Sequence, residues 1–331
     1  MQEIELVSPF DSHLHLRDGD LLKIVAPISA RVFSGAVVMP NLTPPIVTIG
    51  MANAYKERIL KARGEAQFEP IVALYLTDAL KTEEVKNAKI VKLYPIGVTT
   101  GSESGITDID AFDALFGTMQ DYGVILSAHG ETNGAVLERE AEFAPFYKRL
   151  AVKYPRLKIV MEHISSIALV DLLDRYENLY ATITLHHLLY TLDDLLGGGL
   201  KAHLFCKPIV KTAADRAALR DLAFSAHPKV SFGSDSAPHL RAAKEREGAA
   251  GIFSAPVLAP ALVELFEERS ALGALQAFIS DNAQNIYGVK LPRKTVTLIK
   301  QPSIVPAEIG GVVPMRAGET IGWSIARIND K

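Results

Sequence analysis

Eight short apolar runs rich in β-branched residues recur through the first three quarters of this chain, and most are separated by stretches with helical spacing. The runs are Val7 to His15, Gly35 to Met39, Ile71 to Leu76, Ile90 to Tyr94, Val124 to His129, Lys158 to His163, Leu179 to Leu185 and Lys229 to Asp235. Helical spacing is read over Met51 to Ala62, Ile109 to Asp121, Ala135 to Tyr154, Ser165 to Tyr176 and Ala213 to Ala226. Strands alternating with helices imply parallel β-α units, and eight such units imply a closed (β/α)8 TIM barrel. Pro256 to Arg269 and Ala271 to Ser280 read as further helices, and Thr295 to Ile299 and Glu319 to Ile325 as short strands. The expectation is one barrel domain over residues 1–331 whose last ~40 residues form an appendage. The palette suits a sheet buried on both faces, because Val, Ile, Leu and Ala dominate and only 7% of the residues are aromatic.

Bulk charge removes several function classes. The formal net charge is −3 with no run of Lys or Arg, so neither a nucleic acid nor an anionic membrane surface is expected as a partner. No segment approaches the ~18 apolar residues of a membrane span. The chain begins without a basic start and apolar run, which makes the cytoplasm the expected setting. With one cysteine, Cys206, a thiolate zinc cluster is excluded, and any metal must rest on His or carboxylate. Cys206 itself reads as a small buried apolar residue. The mixed-sign stretch Lys244-Glu245-Arg246-Glu247 reads as a solvated loop or helix end.

The informative pattern is where the polar residues fall. Strand one ends in His13-Leu14-His15, strand four carries Lys92, strand five ends at His129, strand six at His163 and strand eight at Asp235. In a parallel barrel these ends converge on one face, where active sites are built. Residues i and i+2 of a strand point the same way, so His13 and His15 are able to lean onto one ion. Asp11 is read either as an acceptor orienting one of those imidazoles or as a turn residue. Taken singly, His129 and His163 read as hydrogen-bonded core histidines, and jointly as ligands. Two readings of Lys92 stand: a lysine that snorkels to the rim, or a neutral amine that has taken up CO2 as an anionic carbamate. Asp235 reads as a helix N-cap or as a ligand that also handles protons.

His13-Leu14-His15-Leu16-Arg17, Met39-Pro40-Asn41, Val91-Lys92-Leu93-Tyr94-Pro95, Ala128-His129-Gly130-Glu131, Glu162-His163-Ile164 and Gly233 through His239 followed by Lys244 resemble the dihydroorotases of the amidohydrolase superfamily, in their shorter stand-alone bacterial form. The resemblance runs in order from residue 8 to about residue 260. It implies reversible cyclisation of N-carbamoyl-L-aspartate to dihydroorotate, a step of pyrimidine synthesis, at two Zn2+ ions per chain bridged by hydroxide. It implies that His13, His15, carboxylated Lys92 and Asp235 hold one zinc, and that carboxylated Lys92, His129 and His163 hold the other. Asp235 would be the catalytic acid and base. Arg17, Asn41 and His239 fall where the family binds the substrate carboxylate. Thr99 and Thr100 fall in a loop that closes over substrate, and Leu204 and Ala250 where backbone groups meet the ring. His15 and His129 would also face the substrate. A small-molecule substrate and a homodimer are implied as partners.

One departure is visible. His186-His187 stands where the family usually places Gln-His, and His186 reads as a surface histidine. His203 and His227 receive no role. Three competing readings are a hydantoinase or allantoinase with the same ligands, a barrel that has lost catalysis and serves as a scaffold, and a one-metal deaminase-like amidohydrolase without the lysine. All six candidate ligands are present, which argues against the scaffold.

Overall fold

The strands of the barrel are Phe10–Leu14, Gly35–Val38, Glu69–Val72 continued by Leu74–Tyr75, Ile90–Leu93, Ile125–Ala128, Ile159–Met161, Leu179–Ile183 and Val230–Phe232. In this computed structural model, which describes residues 2–330, they pair in parallel as two runs, one over the first three and one from Leu74–Tyr75 round to Val230–Phe232. Both seams are closed. At one, the Ala73 N–H donates to the Val38 carbonyl at 3.1 Å; at the other, Leu14 bridges Ser236 and the Asp235 N–H donates to the His13 carbonyl at 2.9 Å. The chain therefore has the (β/α)8 architecture expected from its rhythm.

Alternation along the strands sorts the side chains into an outer and an inner set. Val91, Leu93, Leu126, Ala128, Ile159 and Met161 face outward into a large apolar cluster shared with the helices. Phe10, Val37, Ile90, Ile125 and Val160 face inward and pack against Ile286 and Tyr287 of the helix Asn282–Tyr287. Two residues further along, the inward positions turn polar: Ser12, Lys92, Ser127, Glu162 and Thr182, all buried. The barrel interior is thus apolar at one end and polar at the other.

The helices form where the chain supplies both an apolar face and a start. Ala213–Phe224 opens with a capping box between Thr212 and Asp215, buries Leu219, Leu222 and Ala223, and is followed by Ala226 at φ +53°. Elsewhere the boundaries differ from the sequence expectation. The run beginning at Val7 is two strands: Glu3–Val7 pairs antiparallel with Thr295–Ile299, and the barrel strand starts only at Phe10. Ser8 at φ +46° followed by Pro9 breaks the ladder between them. The helix Gly19–Val32 has no counterpart in the sequence reading because Pro27 lies inside it. Asp113–Tyr122 and Val170–Arg175 are each preceded by a 3-10 turn, and Arg139–Lys153 is shorter than read. Ser324–Asn329 completes a three-stranded antiparallel sheet with Thr295–Ile299 and Glu3–Val7. Among the described residues, no helix is long and apolar enough to cross a membrane.

Candidate active site

The polar end of the barrel gathers the residues at the strand termini into one cluster. The first strand is irregular between Asp11 and Leu14, and beyond it Nε2 of His13 and Nε2 of His15 stand 3.1 Å apart. Oδ1 of Asp235 lies 3.4 Å from the first and 3.2 Å from the second. Donor atoms bonded at 2.0–2.1 Å to a tetrahedral ion are separated by about 3.3–3.4 Å, so this triangle has the size of one face of such a shell. Nδ1 of His129 and Nε2 of His163 form a second close pair at 3.2 Å, and the His13 and His163 rings are 4.9 Å apart between centroids. Lys92 lies between the pairs, with Nζ against Glu162 Oε2 and 4.2 Å from the centre of the Tyr94 ring. Glu162 Oε1 stands 3.1 Å from His13 Nδ1 and accepts from Ser127 Oγ at 2.6 Å. Two lone-pair atoms in contact share at most one proton, so a cation between them relieves the repulsion that remains. The donor set fits a metal.

Burial, more than any neighbour, lowers the pKa of His13, His15 and His163, and it drives Lys92 well down. Neutral imidazoles present lone pairs, and a neutral amine is the form that reacts with CO2. Lys92 has no exposed surface, so it does not snorkel to the rim.

Three residues of the site hold backbone conformations that favour glycine: Arg17 at φ +56°, His163 at +40° and Asp235 at +43°. Each costs about 1–3 kcal/mol and persists only where the surroundings enforce it. His163 N–H donates to Thr182 Oγ1 at 2.7 Å, and the Arg17 carbonyl accepts from Tyr55 OH at 2.5 Å. Asp11 serves the same end. It is neither the orienter of an imidazole nor the turn residue that the sequence left open: it lies within the strand Phe10–Leu14, and its Oδ1 accepts from the backbone N–H groups of His13 at 3.1 Å and Ser234 at 2.8 Å. Its side chain points along the seam between strands one and eight, and burial raises its pKa to about 7. A side chain at Gly233 would crowd this seam, because a Cβ there would lie 3.0 Å from Cβ of Thr182 and 3.1 Å from Cβ of His13.

Above the cluster is a small cavity. Its walls are His13, His15, His129, His163 and Asp235 below, with Arg17, Asn41, Tyr94, Thr99, Thr100, Lys207, Ala237, Ala250 and Gly251 around and over them. Arg17 donates from Nε to the Pro238 carbonyl at 3.1 Å and places Nη2 3.0 Å from His239 Nε2. The same His239 nitrogen lies 3.0 Å from the Ala250 carbonyl, so it either accepts from Arg17 or donates to Ala250. Burial lowers the His239 pKa to about 3. Asn41 joins His15 Nδ1 at 3.0 Å to the Thr100 carbonyl at 3.2 Å. Thr100 Oγ1 donates to the Ala250 carbonyl at 3.3 Å, and Tyr75 OH to the Gly101 carbonyl at 3.0 Å. Gly101 has φ +73°, and a Cβ on it would meet Nδ2 of Asn41 at 2.9 Å. With these bonds in place the cavity has about 20 Å³ of space for water-sized groups and stays partly open to solvent.

His239 and Leu204 are not among the wall residues; His239 touches the wall through its contact with Arg17, and Leu204 ends a 3-10 turn at Ala202–Leu204. Sequence reading gives no role to Glu162, which contacts Lys92 and His13, or to Glu131, whose Oε2 is 2.6 Å from His129 Nε2. Both carry a positional signal, each standing two residues beyond an inward-facing or ligand position. Tyr94 at the wall, two residues beyond Lys92, carries the same signal, and Lys207 carries none. Two expectations are corrected. His186 is fully buried because the helix Leu185–Leu189 turns inward against the barrel, and with His187 and Cys206 it forms a second buried donor group. Lys244 is not solvated: the helix Arg241–Arg246 buries it, and its Nζ donates to the carbonyls of Phe205, Ala249 and Gly251 at 2.8, 2.9 and 2.7 Å. Cys206 is buried, as read.

Residues 50–289 match the family model described as Amidohydrolase. The chain is 48% identical to a dihydroorotase of Helicobacter hepaticus, with 99% of each chain covered. It is similar to the crystal structure of a dihydroorotase from Campylobacter jejuni, with a TM-score of 0.92, 46% identity and 98% of both chains covered. It also resembles a Saccharomyces cerevisiae dihydroorotase solved in complex with 5-fluoroorotic acid, with a TM-score of 0.91, 34% identity, and 98% of this chain and 99% of that one covered.

Proposed function

This chain belongs to the dihydroorotases, cyclic-amide hydrolases of the amidohydrolase superfamily, and from that premise we propose that it interconverts N-carbamoyl-L-aspartate and dihydroorotate at two zinc ions in the barrel mouth. His13, His15, Asp235 and a carboxylated Lys92 would hold one ion, and the carboxylated Lys92, His129 and His163 the other; held there, zinc would supply Lewis acidity to a water and to a substrate carbonyl. The observation that carries the reading is the triangle of His13, His15 and Asp235 donor atoms at 3.1–3.4 Å, beside the His129–His163 pair and the buried Lys92.

The protein's own groups do the rest. Arg17, a planar fork that forms no ion pair with a carboxylate among the described residues, takes the substrate carboxylate with Asn41 and His239. Thr99 and Thr100 close over the ring, and the backbone at Leu204 and Ala250 meets its amide edges. In ring closure the Asp235 carboxylate accepts a proton from the carbamoyl nitrogen as that nitrogen bonds to the β-carboxyl carbon. In ring opening it returns that proton to the departing nitrogen. Glu131 and Glu162 fix the orientation of His129 and His13. The reading carries with it a homodimer in the cytoplasm and a single barrel domain with a C-terminal appendage.

A metal count and a dihydroorotate hydrolysis assay on one preparation test it. Two zincs per chain with turnover are expected, and Lys92→Ala is expected to lose both. A protein that purifies without metal, or that opens hydantoin and leaves dihydroorotate intact, defeats the proposal.

A further inference from the structure

The cavity entered by Arg17 has a second cation in its wall. Lys207 follows Cys206 in the segment leading to Lys211, and it borders the cavity together with Thr99, His129 and Gly251. Burial lowers its pKa; Glu131 opposes that shift and Arg139 adds to it. Arg139 is itself a cation and repels it, and the one anion in reach, the Glu131 carboxylate, is hydrogen-bonded to His129 at 2.6 Å and forms no ion pair with Lys207 among the described residues. Arg17 is tied to Pro238 and His239 beyond strand eight, whereas Lys207 shares the wall with His129, the end of strand five, and lies within electrostatic reach of Glu131.

We propose that Lys207 is a specificity residue that distinguishes the two partners of the reaction by charge, holding the open-chain N-carbamoyl-aspartate more tightly than the ring. The inference rests on the dihydroorotase reading. Ring closure turns a dianion and one proton into a monoanion and water: the new C–N bond consumes the β-carboxylate, and one of its oxygens leaves as water. The α-carboxylate survives in both compounds, so a cation dedicated to it sees no difference between them. A cation near the ligands of the reacting end does. An unneutralised charge in a half-buried setting is worth about 3- to 10-fold in the affinity of the more anionic partner.

The equilibrium constant belongs to the reactants alone, so losing Lys207 lowers kcat/KM by the same factor in both directions. The discrimination shows only in how that factor divides between KM and kcat. The test is steady-state kinetics in both directions for wild type, Lys207→Gln and Lys207→Arg at low and high KCl, with metal content and Tm measured on each. Lys207→Gln is expected to raise KM for N-carbamoyl-aspartate about 3- to 10-fold and KM for dihydroorotate less than about 2-fold. Lys207→Arg is expected to restore the wild-type KM. KCl is expected to raise KM for the open chain more steeply in wild type than in Lys207→Gln. Equal KM changes in the two directions, or an Arg variant of native metal content and Tm that behaves like Gln, overturn the inference. A wild-type protein that turns over neither compound overturns instead the reading beneath it.

Discussion

The two ends of the barrel interior are built by the same strands two residues apart, yet they share almost no chemistry. At the closed end Phe10, Val37, Ile90, Ile125 and Val160 pack on Ile286 and Tyr287. At the open end Lys92, Ser127, Glu162 and Thr182, with the histidines beyond them, make a buried polar network. One end gains from removing apolar surface from water; the other gives up that gain to hold lone pairs and charges in a dry place. The strands thus divide labour along their length. The apolar end sets the strand positions that the polar end depends on.

That division makes different demands on different substitutions. Asp235→Asn, at the polar end, is expected to cut kcat by about 10²–10⁴-fold while Tm changes little, measured by turnover and calorimetry. Ile125→Ala, at the apolar end, is expected to lower unfolding stability by about 2–5 kcal/mol in a denaturant titration, with kcat per folded molecule near wild type. A large loss of kcat in Ile125→Ala would show that the two ends are not separable. Glu162→Gln probes the polar end from the metal's side. It keeps the shape but turns one acceptor oxygen into an NH2 donor and removes the charge facing His13 and Lys92, and it is expected to weaken metal binding about 10–100-fold in a competition with a chelator. A variant with native metal affinity would confine Glu162 to packing.

Much of this division is written in the chain because both ends use the same period of two. His13, His15, His129, His163 and Asp235 each close an apolar run, and in a parallel barrel such positions all open onto one mouth. Glu162 is harder to see, since an acid beside a histidine looks like part of one motif until the strand direction shows that Val160 and Glu162 share a face. Lys207 and His186 are illegible for another reason. Each lies in a segment outside the strands, where tertiary packing decides burial: the inward turn of Leu185–Leu189 hides His186, and the approach of the segment after Leu204 to the mouth places Lys207 at the wall. Lys244 misleads because a mixed-charge run looks solvated, whereas three backbone carbonyls collect its ammonium. The helix at Gly19–Val32 is masked by Pro27, which such a helix tolerates when Leu22, Val25, Ala26 and Ala30 bury a continuous face around it.

The bonds Asn41 to the Thr100 carbonyl, Thr100 to the Ala250 carbonyl and Tyr75 to the Gly101 carbonyl have an energetic corollary. Each is a single neutral hydrogen bond that contributes about 0.5–1.5 kcal/mol, so parting all three costs no more than a few kcal/mol. A reactant that brings its own amide and carboxylate groups to the same backbone atoms offsets that cost on arrival.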